Sequence, residues 1–281
     1  MSLYVGINNT PKAITQLLIG KNGSAAQASS AYTGGVNSKS LVYNSFNLDE
    51  ELTKVNPVDA LTSGKIKKSD IGKIVYLSNS NTNRHGACQE WRIADINHDG
   101  TEGTVDLVSR YVVYDILATT FNSKEDDKWM VWYESSNVKK LLLDFYNDFT
   151  DNIKNAIKTQ HVTLTDPNGT LAYRDYKIKC PSLTELGCRA NYAGGALISD
   201  MPEEGSIYPL FGDKQVQPNV LAIFKNARTN TPESYWTRTP CNNHSSYGYR
   251  VIAIDSNGYF QLEPPNNGYL AACSIIGIIR F

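Results

Sequence analysis

Three groups of residues in this chain have types and spacings that could do chemistry. The first is the turn Asp95-Ile96-Asn97-His98-Asp99-Gly100, followed by Asp106. Oxygen donors at alternate positions around a glycine are what a hard cation needs, so Asp95, Asn97, Asp99 and Asp106 are candidate calcium ligands. Asp-Gly and Asn are equally what a hairpin turn demands, and the turn is the preferred reading because strand-like segments flank it. The second group is the nucleophiles and bases: His85, His98, His161 and His244, with Cys88, Cys180, Cys188, Cys241 and Cys273. They are scattered, with no Cys-x-x-Cys pair and no nucleophile motif. Cys241 and His244 are close in sequence, which is not triad geometry. Glu50-Glu51 and Glu203-Glu204 read as solvated carboxylates rather than a glycosidase pair. Neither an enzyme nor a required cofactor is expected.

The third group is the most informative. After Tyr235-Trp236-Thr237-Arg238, the chain turns to Asn, Ser, His, Tyr and Gly: Asn242, Asn243, His244, Ser245, Tyr247 and Tyr249, then Asn257 and Tyr259, then Asn266, Asn267 and Tyr269. Tyr offers a large rigid contact area at low entropic cost, and Ser, Asn and Gly add adaptable hydrogen bonds, as in antibody paratopes. Aromatic faces can stack on sugar rings, and Asn amides supply paired donors and acceptors. The same surface could grip a protein. Some of these tyrosines belong to strand packing, since Tyr also suits half-buried strands. Trp236 and Arg238 read as structural, the Trp in a core and the Arg holding loop carbonyls.

The elements that would carry these residues are legible in outline. Strands are expected at Lys73–Leu77, Glu90–Asp95 and Gly103–Ser109, the first two as a meander and the last two joined across the Asn97–Gly100 turn. A helix is expected from Ser135 to about Thr159, capped by Ser135-Ser136-Asn137 and broken near Thr150. A second, short helix should open at Ser182, three residues before Glu185, at capping-box spacing. Strands return at Tyr235–Arg238, Tyr249–Ile254, Tyr259–Leu262 and Ser274–Phe281. This is an α+β pattern, in which pairing of the closing strand with the opening one would join the domain ends.

Lys+Arg is 27 against Asp+Glu 28 with no basic stripe, so nucleic acid is not expected as a partner. No apolar run approaches a membrane span, and no charged start followed by an apolar stretch marks a signal peptide. An odd cysteine count without pair spacing suits buried reduced thiols. At the start of the chain, Gly6, Gly20 and Gly34 recur at a spacing of 14 residues, within Leu3–Asn9, Leu17–Gly23 and Ala31–Asn37. Each repeat reads as a hairpin too small to stand alone, hence an oligomerisation or docking module over residues 1–44. Residues 45–70 read as a polar connector with a weak helical stretch at Leu48–Val55, and residues 71–281 as the main domain.

Six pieces in order resemble the C-type-lectin-like domains of phage tail proteins and related bacterial proteins. They are Trp91-Arg92-Ile93 with the Asp95–Gly100 turn, Val105–Ser109, Ser135–Leu142, Pro181–Gly187, Tyr235–Thr239 and Gly277–Phe281. The closing Arg280-Phe281 departs from the Arg-Pro usual there. The N-terminal repeat separately resembles the Tyr-Val-Gly-x-Asn-Gly repeats of phage tail proteins. The resemblance implies a virion protein and a lectin-like fold. It also implies a homo-oligomer, with a trimer favoured, and contacts to other virion proteins through residues 1–44. The ligand would be a host cell-surface glycan or protein held by the C-terminal loops. In some relatives a retroelement diversifies that surface by mutating adenines, and AAY codons would give close to the residue mix of Asn242–Tyr249. A structural virion component, whose Tyr-rich face packs on neighbouring subunits, is the alternative.

Overall fold

A computed structural model describes residues 56–78, 89–113, 120–122, 131–188, 203–212, 224–227, 229–241, 250–258, 260–265 and 273–281, together with Leu52 and the backbone pairing of the strands in the first 44 residues. The chain divides into two compact units, Met1–Leu48 and Asp49–Phe281.

The first unit holds three antiparallel hairpins: β1 (Leu3–Ile7) with β2 (Thr10–Ile14), β3 (Leu18–Lys21) with β4 (Ser24–Gln27), and β5 (Ser30–Thr33) with β6 (Ser40–Asn44). Ile7 pairs with Thr10 and Lys21 with Ser24, so in sequence Asn8-Asn9 falls between the strands of the first hairpin and Asn22-Gly23 between those of the second. The strand–Asn/Gly–strand reading of the repeat matches this pairing.

The second unit is α+β, with mostly antiparallel sheets and few helices. It opens with α1 (Pro57–Thr62), capped by Asn56, whose side chain accepts from the Asp59 amide. Val58, Ala60 and Leu61 are buried, so helical structure lies just beyond the stretch expected at Leu48–Val55, of which Leu52 alone is described. The main sheet then builds from β7 (Ile74–Tyr76), β8 (Glu90–Ile96) and β9 (Val105–Ser109), as the sequence predicts. The predicted helix is α2 (Asn137–Asn147), capped by Ser136, and then α3 (Asp151–Ala156), with the break at Thr150.

The segment that would have continued the helix to Thr159 instead enters a hairpin absent from the sequence reading: β10 (Gln160–Thr165) with β11 (Leu171–Tyr176). Strand β12 (Ile178–Lys179) follows. The helix expected at Ser182 is a run of turns over 183–187, although its capping box forms: Ser182 Oγ accepts from the Glu185 amide at 3.1 Å and Glu185 accepts from the Ser182 amide at 3.0 Å. Gly187, at φ +81°, ends it after one turn, and the Glu185 carboxylate is held by other elements.

Strands β13 (Tyr235–Cys241), β14 (Arg250–Ile254) and β15 (Phe260–Glu263) make a second, three-stranded sheet. The closing strand β16 is only Ile278–Arg280, shorter than the Ser274–Phe281 expected. The main sheet has the order β12-β16-β9-β8-β7. Thus the closing strand lies between β9 and β12, and the first strand, β7, is at the far edge, contrary to the expected pairing of first with last. The reason is chemical: β16 carries Arg280, and Asp106 on β9 supplies its counter-charge at 2.5 and 2.7 Å. Phe281 exchanges both backbone hydrogen bonds with Val105, at 2.9 Å each. A proline there has no N–H and would lose one of them.

One core cluster joins the two sheets, with Ala94, Val108 and Ile278 from the first and Tyr235, Ile252 and Ile254 from the second. Trp91 packs instead on Phe145 of α2 and on Phe149, at ring-centroid distances of 6.1 and 6.0 Å. Helices and a second sheet therefore cover the two sides of the main sheet.

Candidate functional site

The Asn/Tyr-rich segments hang from β13–β15. Cys241 pairs with Arg250 and Pro240 with Val251, immediately before and after the connection 242–249. Every residue of β13 is buried, as are Val251–Ile254. Pro240 cannot donate to the ladder, and the pairing shifts register between Trp236 and Pro240. Asn242, Asn243, His244, Ser245, Tyr247, Tyr249, Tyr259, Asn266, Asn267 and Tyr269 lie outside the described residues. Asn257 is described, and it is exposed in a turn where its amide and that of Gly258 bond back to Asp255 at 2.9 Å.

Beneath this sheet is a buried ionic network. Arg238, 1% exposed, donates through Nη1 to Cys180 O and Glu185 Oε2, at 2.7 and 2.6 Å. Its Nη2 donates to Glu185 Oε1 at 3.0 Å and to Glu204 O at 3.3 Å. Lys179 Nζ reaches the same Glu185 at 2.6 Å. Burial would raise the Glu185 carboxyl, but Arg238 and Lys179 outweigh it and hold it at about 2. Burial lowers the Lys179 ammonium more than Glu185 raises it. The predicted structural roles of Trp236 and Arg238 match this geometry: the Trp is fully buried and the Arg gathers loop carbonyls.

Glu204 corrects the reading of Glu203-Glu204 as two solvated carboxylates. It is fully buried and accepts from the Thr165 amide and the Thr239 hydroxyl, each at 2.6 Å. Burial pushes its carboxyl up, while Arg238 and these hydrogen bonds pull it partly back. Glu203 is exposed. Glu50 and Glu51 lie outside the described residues.

The calcium candidates are occupied by protein partners. Asp106, fully buried, spends one oxygen on Arg280 Nε and the other on Arg280 Nη2 and the Tyr208 hydroxyl, the latter at 3.0 Å. Asp95 accepts from its neighbour's amide and meets His98 Nδ1 at 2.8 Å. The His98 ring in turn stacks on Tyr208 at 3.9 Å. Asn97 and Asp99 sit at φ 58° and 54°, and Asn97 Oδ1 accepts from the Gly103 amide at 2.8 Å. This is the turn chemistry that Asn and Asp supply. To bind calcium, Asp95 and Asp106 would first have to release cations and donors already in place. Among the described residues no group of three or more His, Cys, Asp or Glu is arranged for a metal ion.

Cys180, Cys188, Cys241 and Cys273 are buried and carry reduced thiols. Burial raises the Cys180 and Cys188 thiols, the latter to about 12, so neither is a ready nucleophile. Cys241 is buried, and its sequence neighbour His244 is outside the described residues. Among the described residues no helix is long and apolar enough to cross a membrane.

An open cavity of about 550 Å³, not expected from the sequence, lies on the outer face of the β10–β11 hairpin and is also lined by Asp99, Glu203 and Arg280. Its signal was present in the Asp166-Pro167-Asn168-Gly169 turn and in the alternation of His161, Val162, Thr163 and Leu164.

No curated protein and no solved structure matches the chain. Residues 102–274, more than half of it, match the family described as Domain of unknown function (DUF6273). From β9 through the second sheet, the chain belongs to that family.

Proposed function

We propose that this chain is a phage virion protein, of the tail fibre or tail tip, that recognises a host cell-surface glycan or protein through the loops of its C-terminal sheet. The observation that carries this reading is the contrast between strand and loop. β13 and β14 are buried and their register is set up to Cys241–Arg250, yet the connection between them is Asn-Asn-His-Ser-Ser-Tyr-Gly-Tyr. A binding surface needs such adaptable contacts on a rigid support. The reading of residues 71–281 as a C-type-lectin-like domain is supported by three features: a closing strand inside the main sheet, the helix α2 packed on that sheet, and a separate sheet bearing the loops. The three N-terminal hairpins suit docking to other virion proteins or trimerisation, because a two-stranded hairpin needs a neighbour to be stable.

The test is saturable binding of the purified chain to intact host cells. It is compared with a variant carrying Tyr247→Ala, Tyr249→Ala, Tyr259→Ala and Tyr269→Ala, both shown by circular dichroism to be folded. Loss of binding in the variant is the expected result. A folded, oligomeric parent that binds no permissive host overturns the adsorption role and leaves that of a structural virion component, whose Tyr-rich face packs on neighbouring subunits.

A further inference from the structure

We infer that the cavity on the outer face of the β10–β11 hairpin is a second binding site, for a neutral pyranose sugar, separate from the C-terminal loops. Its wall is an aromatic plate. Tyr173 and His161 are diagonal neighbours across the hairpin, since Thr163 pairs with Tyr173 and His161 with Asp175. Their rings lie parallel, 4° apart, with centroids at 5.4 Å. Asp175 holds the imidazole through Nδ1 at 2.8 Å, which fixes the orientation of the plate. Tyr173 is 56% exposed and Leu171, on the same face, 43%; they are two of the four exposed large hydrophobic residues among those described.

The opposite face of this hairpin, with Val162, Leu164 and Tyr176, is in the core, so the fold does not need its outer side to be apolar. The cavity beside the plate is lined by the hydroxyl residues Thr101, Thr159, Thr163 and Ser206. At about 550 Å³ it falls within the roughly 300–1,000 Å³ of small-molecule sites.

The charges select among ligands that stack. Both cations that the described residues place on the lining already have carboxylate partners: Lys179 meets Glu185 at 2.6 Å, and Arg280 meets Asp106 at 2.5 Å. Asp99 also meets Arg280, at 3.7 Å, Glu203 adds a further acid to the lining, and Asp175 stands beside the plate, so among the described residues a nucleotide or other phosphate ligand meets no cation that lacks a carboxylate partner. An amphipathic, uncharged ring remains: its C–H face suits the aromatic plate, and its hydroxyl rim suits carboxylate and hydroxyl partners. A pyranose has both.

The test uses the full chain and saturation-transfer NMR with methyl α-glucopyranoside, methyl α-mannopyranoside, methyl β-galactopyranoside and N-acetylglucosamine. Arginine methyl ester and inorganic phosphate are the counter-probes. At least one sugar should receive saturation at its ring C–H protons. Its affinity should weaken roughly tenfold in Tyr173→Ala, persist in Tyr173→Phe, and be unchanged by the loop substitutions Tyr247→Ala and Tyr249→Ala. Because Tyr173 is exposed on a hairpin, the Ala variant should fold, and circular dichroism checks this. No saturation of any of the four sugars, sugar binding that survives Tyr173→Ala, or binding of arginine methyl ester or phosphate alone each overturns the inference. Host-cell binding lost with the loop tyrosines but kept in Tyr173→Ala speaks for the loops alone, so the two sites are tested separately.

Discussion

Glu185 faces two cations at once, Arg238 and Lys179, in a site with almost no solvent. Replacing it by Gln keeps the shape and removes the anion both cations share, leaving two buried positive charges with Glu204 near Arg238 and Asp106 near Lys179. The expected cost is about 3 to 5 kcal/mol, read as a lower urea midpoint at pH 7 with an unchanged slope. The pH dependence has a definite sign. The folded carboxyl is held at about 2, below its ordinary 4.5, so the native state favours the ionised form. Its contribution is complete above pH 4.5 and is lost as pH falls towards 2; the midpoints of parent and Glu185→Gln should therefore converge in that window. Glu204 acts in the opposite sense. Its carboxyl is raised, so its contribution is present at low pH and declines as pH rises, and Glu204→Gln should cost less at pH 7 than Glu185→Gln. The buried thiols give an independent check: Cys180 and Cys188 should resist iodoacetamide in the native protein and react after unfolding, as mass spectrometry of the peptides would show.

The elements depend on a few local contacts. Ser136 Oγ accepts from the Lys139 amide at 3.0 Å and donates to Tyr133 O at 2.7 Å, so it both caps α2 and ties it to the preceding turn. Ser136→Ala should cost about 1 kcal/mol in urea denaturation. Gly277 enters β16 where a Cβ would meet Ile178 Cδ1 at 3.1 Å and Leu142 and Trp91 at 3.4 Å. A methyl there needs neighbours to yield by tenths of an ångström, whereas Gly277→Val overpacks the junction of helix, sheet and closing strand. The Val variant should lose about 1 to 3 kcal/mol and the Ala variant clearly less, by the same measurement. Elements governed by such local rules were legible in the sequence. The Asn97–Gly100 turn, the α2–α3 break and the β13–β15 meander all follow from period, caps and turn residues. Where a distant partner decides, the pattern failed. The capping box at Ser182 formed without a helix because Arg238 holds Glu185, and β16 chose β9 because Arg280 needs Asp106, 174 positions away. The β10–β11 hairpin is masked in the sequence for another reason: its alternation begins only four residues after a real helix ends, so the helical period runs into it without a break.

At the scale of the molecule, the boundary after Leu48 separates a set of small hairpins from a unit with its own core. The three hairpins pair only within themselves among the described residues, and each has too little area to be stable in isolation. On the proposed reading they are completed by partners, and where those partners are other copies of the chain, the proposed binding surfaces of residues 49–281 are displayed in several copies together. Single sites built from Tyr stacking and Asn hydrogen bonds are weak when each contact is exposed to water, and linking them is the physical route to stable adhesion. Residues 49–281 alone should remain folded, with the urea slope expected of a domain that keeps its core, and should sediment as a monomer. The full chain should sediment as an oligomer under the same conditions. Binding of the fragment to host cells should then be weaker on the order of a hundredfold or more, while its affinity for a soluble monovalent sugar stays unchanged, because avidity alone has been removed. A monomeric full chain, or a fragment that adheres as well as its parent, would turn the proposed role of residues 1–48 from self-assembly to attachment to other proteins.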